Sequence, residues 1–116
     1  MNVSMERTVR AGYADVSVGE VAALRRESSA RLVDVREPHE FTGELGHIAG
    51  AELVPLATVG AAVASWDRER PLIMICRSGG RSGRAAAQLA AMGFKSVHNM
   101  SGGMLAWNDA KLPVER

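Results

Sequence analysis

Pro71-Leu72-Ile73-Met74-Ile75-Cys76-Arg77-Ser78-Gly79-Gly80-Arg81-Ser82 runs from an unbroken apolar segment into a short loop of glycine, serine and arginine, and an alanine-rich stretch, Arg84 to Met92, follows it. An apolar run of this length reads as a strand buried on both faces, and the alanine-rich stretch reads as a helix. Strand, glycine loop and helix together make an anion-binding arrangement. The first N–H groups of such a helix have no internal partner, and the helix dipole adds partial positive charge there. Cys76, the only cysteine of the chain, stands at the junction. Arg77 and Arg81 add two full positive charges beside it. A free thiol ionises at about 8.5, and helix N-termini with neighbouring cations lower that to roughly 3.5–7.5, so Cys76 is expected to be a nucleophile at neutral pH. Gly79 and Gly80 are expected to supply positive φ and let successive N–H groups converge above the sulfur. The competing reading, an inert cysteine closing a core strand, leaves two arginines and two glycines in the next five positions unexplained. Of the two arginines, Arg77 reads more readily as a solvated surface residue, since Arg81 falls at the helix start.

Outward from this stretch the elements alternate. Ser17-Val18-Gly19-Glu20 forms a capping box, and Val16 with Val21 forms a hydrophobic staple, so a helix is expected from Val18 to about Glu27. Leu32 to Val35 reads as a strand with Asp34 near its C-terminal end, beside Arg36 and Glu37. Leu53 and Val54 make a short strand before Pro55, and Thr58 to Trp66 a helix. Leu72 to Cys76 is the central strand. The helix after the loop should end at Gly93 in a left-handed cap, with Phe94 folding back on Leu89. Ser96 to Asn99 reads as a last strand, and Gly103 to about Ala110 as a final helix that stops before Pro113. This alternation predicts an α/β fold: one parallel sheet of about five strands with helices on both faces, and ligands at the C-terminal ends of the strands. Cys76 lies at such an end.

The 116 residues, 47% apolar, suffice for one domain with a real core, expected over residues 13–116 behind a flexible tail of residues 1–12. A single cysteine excludes an internal disulfide, which suits a reducing cytosol and also leaves a periplasmic location open. Met1 to Tyr13 carries no apolar signal core, and no stretch approaches the roughly 20 apolar residues that span a bilayer. A cytoplasmic location with no membrane partner is therefore expected. The net charge of +1, without a basic block, argues against nucleic acid as a partner.

The segment Cys76 to Ser82 resembles the active-site loop of the single-domain rhodaneses, a family of sulfurtransferases. Leu32-Val33-Asp34-Val35-Arg36-Glu37-Pro38-His39-Glu40-Phe41 is similar to the family's first signature, and Gly46-His47-Ile48-Ala49-Gly50-Ala51 to the segment that follows. Ser101-Gly102-Gly103-Met104-Leu105-Ala106-Trp107 with Leu112-Pro113-Val114 is similar to its closing helix. The family often has proline where this chain has Ala49, a change expected to loosen a turn and leave the chemistry alone. The resemblance implies a rhodanese-like domain in which Cys76 is catalytic and Arg77, Ser78, Gly79, Gly80, Arg81 and Ser82 form the substrate-binding loop. For Asp34 and Arg36 it implies structural support of that loop.

The implied reaction is covalent sulfur transfer. A Cys76 thiolate takes the outer sulfur of a donor such as thiosulfate, and the resulting persulfide is stabilised by loop N–H groups and cations. Cyanide, a small thiol or a protein acceptor then removes that sulfur, and no metal or organic cofactor is needed. A guanidinium pair would orient the sulfonate oxygens of the dianion. Ser78 and Ser82 would donate to the same group, or Ser82 would serve only as a helix cap. Thiosulfate, a persulfide and mercaptopyruvate all stay open as donors, with mercaptopyruvate ranked last because the arginine-bearing loop resembles that of the thiosulfate-using members.

Two rivals stand beside this reading. A phosphatase or arsenate reductase of the related cysteine-loop kind would carry five residues between Cys and Arg, whereas four separate Cys76 from Arg81. A persulfide carrier for a dedicated partner would use the same Cys76. Among the remaining polar residues, Asp34, Arg36, Glu37 and Glu40 read as ion pairs and turn bonds rather than an acid–base cluster. His47 reads as bonded to loop backbone before it reads as a general base. His39, His47 and His98 lie at no metal-ligand spacing. Met74, Met92, Met100 and Met104 read as core filler, and Trp107 as the anchor of a helix face.

Overall fold

The structure, a computed structural model, describes residues 9–10, 12–27 and 29–116. In chain order the elements are β1 (Val9–Arg10), β2 (Tyr13–Val16), α1 (Val18–Glu27), β3 (Arg31–Asp34), α2 (Pro38–Phe41), β4 (Glu52–Leu53), α3 (Val59–Ala62), β5 (Leu72–Ile75), α4 (Gly80–Ala91), β6 (Val97–Met100) and α5 (Gly103–Asp109), with a 3-10 turn over Leu56–Thr58. The strands form one sheet in the order β1-β2-β6-β5-β3-β4. Five of them are parallel, and β1 pairs antiparallel with β2 at the edge.

The central strand is β5, and all four of its residues are buried. Alternation along the strands sends side chains to opposite faces. Leu72, Met74 and Cys76 pack with Val33, Val35 and Val97 beneath Val59 of α3 and Ala85, Ala86 and Leu89 of α4. Ile73 and Ile75 pack on the other face with Leu32, Met100, Val21 of α1, and Met104 and Trp107 of α5. Helices thus cover both faces, as the alternating pattern predicts. At the start of α1 the Ser17 N–H donates to Glu20 Oε1 at 3.0 Å and the Glu20 N–H donates to Ser17 Oγ at 3.1 Å, with Val16 and Val21 both buried. Past α4, Gly93 takes φ of 100° and the Phe94 N–H donates to the Leu89 carbonyl at 3.2 Å. Trp107 is fully buried, and its Nε1–H donates to the Pro113 carbonyl at 2.9 Å.

Where expectation and structure differ, the reasons are local. The helix expected from Thr58 to Trp66 shrinks to the 3-10 turn and α3, after which turns follow. Gly60 weakens that segment as a helix, and it faces the side-chain amide of Gln88 of α4. β3, β4 and β6 are each displaced by one residue from the expected spans. Val9–Arg10 pairs with β2, so the sheet reaches into the expected tail, while residues 1–8 lie outside the described residues. Among the described residues no helix is long and apolar enough to cross a membrane.

Candidate active site

β5 delivers Cys76 to its C-terminal end on the α4 face of the sheet, where the residue is 1% exposed. The loop then turns back over the sulfur. Gly79 is the N-cap of α4 with φ of 102°, a left-handed conformation that favours glycine. That turn aims its N–H at Cys76 Sγ, 3.0 Å away. Gly80, expected to share this role, has no positive φ and opens the helix. The Ser82 hydroxyl lies 3.2 Å from Sγ, and the N–H groups of Ser78 and Ser82 also bond the sulfur. Burial pushes the Cys76 thiol up, but the Ser82 hydroxyl and these three N–H groups outweigh it and leave the thiol below its ordinary value. This is the environment of a stabilised thiolate. Of the two loop serines, Ser82 is buried and Ser78 is exposed at a cavity of about 460 Å³.

The two loop arginines part company. Arg81 is engaged by Glu40 of α2 through two bonds, Nη1 to Oε1 at 2.7 Å and Nη2 to Oε2 at 2.8 Å. The Arg81 guanidinium pulls the Glu40 carboxyl down to about 2, against burial that opposes it. Arg77 is exposed and lines a cavity of about 240 Å³ together with Arg36, His39 and Leu45. The expected guanidinium pair is therefore one exposed cation and one carboxylate-bound cation, because α2 places a carboxylate in reach of the Arg81 fork.

Asp34 and Arg36 are buried at the end of β3. Arg36 Nη2–H donates to Asp34 Oδ2 at 2.7 Å and to the Gly46 carbonyl at 2.7 Å, and Nη1–H donates to the Glu40 carbonyl at 3.2 Å. The pair ties β3, α2 and the segment around Gly46 into one brace under the Arg81–Glu40 contact. His47 stacks on Phe41 with ring centroids 3.7 Å apart, and its Nδ1–H donates to the Phe41 carbonyl at 2.7 Å. Among the described residues no group of three or more His, Cys, Asp or Glu side chains is placed to hold a metal.

Sequence reasoning missed three contributors. Asn99 of β6 lies 2.5 Å from the Ser82 hydroxyl and reaches Asp15 and the Gly79 carbonyl with its amide nitrogen. The signal was available: an asparagine on the core-facing side of a strand is disfavoured there and asks for a reason. Asp15 belongs to β2, a strand the apolar pattern does not announce. Gly103 opens α5 with φ of 58°, and a Cβ on it would stand 2.5 Å from the Cys76 and Arg77 carbonyl oxygens. That close approach lets the Met104 and Leu105 N–H groups donate to the Cys76 and Arg77 carbonyls at 2.9 and 3.0 Å. The carbonyls of Cys76 and Arg77 are thus satisfied by α5 while the loop N–H groups serve the sulfur.

Residues 17–110 match the family model described as Rhodanese-like domain. Thiosulfate sulfurtransferase GlpE of Pseudomonas aeruginosa is 35% identical over 88 residues, covering 76% of this chain and 78% of that protein. An uncharacterized protein of Synechocystis is 39% identical over 91 residues, covering 78% of this chain but only 50% of that protein. The crystal structure of a rhodanese-like domain protein from Staphylococcus aureus superposes with a TM-score of 0.74 at 29% identity, over 88% of this chain and 98% of that one.

Proposed function

The chain belongs to the rhodanese-like domain family, and from that premise we propose that it moves sulfane sulfur from thiosulfate or a similar donor to cyanide or a thiol through a persulfide on Cys76. The observation that carries this reading is the convergence of three N–H groups and one hydroxyl on a single buried sulfur. Such a ring stabilises the Cys76 thiolate, which attacks in the first displacement and leaves in the second. In the first displacement the Cys76 thiolate forms a bond to the outer sulfur of thiosulfate, the sulfur–sulfur bond of the donor breaks, and sulfite leaves with that electron pair. In the second, cyanide bonds the outer persulfide sulfur, the Cys76 thiolate is the leaving group, and thiocyanate departs. Charge balances in both steps with no oxidant or reductant. A small thiol or a protein thiol takes the place of cyanide in the same geometry.

Arg77, exposed at the loop, attracts the dianionic donor, while Arg81 holds its place through Glu40. The four-residue spacing from Cys76 to Arg81 favours a site closed around one sulfur over a phosphoryl cradle. The test is the intact mass of the reduced protein after incubation with thiosulfate, beside Cys76→Ser, followed by cyanide. The expected result is a gain of one sulfur atom in the parent alone, removed by cyanide with return of the original mass. No gain with thiosulfate would overturn the assignment of that donor.

A further inference from the structure

The Ser82 hydroxyl has one proton and two acceptors within reach. Asn99 Oδ1 stands 2.5 Å from Ser82 Oγ, and Cys76 Sγ stands 3.2 Å from it on the other side. The amide orientation of Asn99 is fixed independently. Its Nδ2 donates to the Gly79 carbonyl at 3.2 Å and to Asp15 Oδ1 at 3.1 Å, and a flipped amide would turn its oxygen on a carbonyl that can only accept. Oδ1 therefore faces Ser82, carries no proton, and can only receive one. While Cys76 is a neutral thiol, the serine proton lies on the short contact to Asn99, and the oxygen lone pairs face the S–H. When Cys76 ionises, the charged sulfur makes the stronger acceptor and draws the hydroxyl toward itself. Asn99 then loses its donor.

We propose that Asn99 is a positioning residue for Cys76, competing for the single Ser82 proton and so raising the pH at which the thiolate forms. The competition gives the nucleophile a switchable donor. A neutral thiol meets an acceptor, and an anion meets a hydroxyl.

The charged and titratable groups around the cluster are the same whether or not Asn99 is present. From the loop these are Arg81, which feels the Cys76 and Asp34 charges, and Arg77; Glu40 of α2 binds Arg81. On the Asn99 side they are Asp15 and Tyr13 of β2 and Arg84 of α4, which line a cavity of about 460 Å³ beside Ser78 and Gly79. α5 meets the loop through the Met104 and Leu105 N–H groups.

The inference rests on Cys76 ionising in use, as the proposed function requires, but its readout is alkylation and not sulfur transfer, so the two fail separately. The rate of iodoacetamide alkylation is followed against pH for the parent, Asn99→Val, Ser82→Ala and the double variant. Valine suits a strand and offers no acceptor, and Asn99→Ala serves as the second probe should valine crowd the site. The expected result is a midpoint moved to lower pH in the Asn99 variants, with alkylation on the acid limb faster by on the order of fivefold, the worth of one hydrogen bond. Ser82→Ala moves the midpoint up, and adding Asn99→Val to it changes nothing further, because the effect passes through the hydroxyl. A midpoint that rises in the Asn99 variants, or an effect that persists without Ser82, would show that Asn99 acts only by holding the Gly79 carbonyl and would overturn the proposal.

Discussion

Glu40 and Arg81, brought together from α2 and the first turn of α4, meet fork to fork with both oxygens and both terminal nitrogens engaged, at 2.7 and 2.8 Å. The contact closes one side of the Cys76 loop. Its consequence for pH follows from the carboxyl, which in the folded protein titrates at about 2 against an unfolded value of about 4.3. A depressed carboxyl contributes stability that is present above the unfolded value and lost as the pH falls through the folded one. Thermal melts from pH 6 to pH 2 should therefore show the parent losing midpoint steadily between about pH 5 and pH 2. Glu40→Gln should start lower and lose less over that window. Parallel curves would mean that the pair contributes nothing to folding.

Arg77 is the loop cation open to solvent. Arg77→Ala should raise the KM for thiosulfate by on the order of fivefold with little change in kcat, and it should flatten the dependence of kcat/KM on ionic strength. Steady-state kinetics at low and high salt check this. A fall in kcat with an unchanged KM would place the arginine at the reacting sulfur instead of at the entrance.

Gly103 allows α5 to rise directly beneath the loop, since a Cβ there would lie 2.5 Å from backbone atoms of Cys76 and Arg77. Those atoms belong to the main chain and have no rotamer to escape into. Gly103→Ala is expected to cost on the order of 2–3 kcal/mol in urea denaturation, from the positive φ and the clash together. It should also slow Cys76 alkylation at neutral pH, because the loop that aims N–H groups at the sulfur must shift.

Arg36 is 1% exposed and its partner Asp34 is fully buried. Removing one member leaves the other charged and uncompensated, so Arg36→Met should destabilise by about 3–5 kcal/mol. Replacing both, with Asp34→Leu and Arg36→Met, should recover part of that loss in the same denaturation experiment. Recovery fails to appear only if the Gly46 and Glu40 carbonyls that Arg36 also satisfies matter more than the ion pair.

The strand-loop-helix core was legible because its signals are local: an apolar run, paired glycines and a capped helix each announce themselves within a few residues. The same holds for the Ser17–Glu20 box and the Gly93 turn, which the structure reproduces with the expected hydrogen bonds. The β1–β2 edge was not legible. Tyr13-Ala14-Asp15-Val16 has neither a run nor a clean alternation, and β2 is a strand because β6 pairs with it. α2 escaped notice for its brevity, although Pro38 at its first position was a fair sign. In the candidate site, the placement of Cys76 at the strand-loop-helix junction was legible, but partnerships were not. That Arg81 meets Glu40 and that Ser82 meets Asn99 depends on how α2, α4 and β6 come to lie against one another, and no spacing encodes it.

The near-complete burial of Cys76 makes the loop a sieve as well as a charge trap. A residue 1% exposed would admit a small donor with a protruding terminal atom more readily than a bulky disulfide or a folded protein. In the proposed reaction, loading would lengthen the Cys76 side chain by one sulfur–sulfur bond of about 2.05 Å. On that reading the unloaded cysteine would be shielded from large oxidants, and the longer loaded side chain would be the form offered to a larger acceptor. Shape alone would impose the order of the two encounters: small donor first, larger acceptor second.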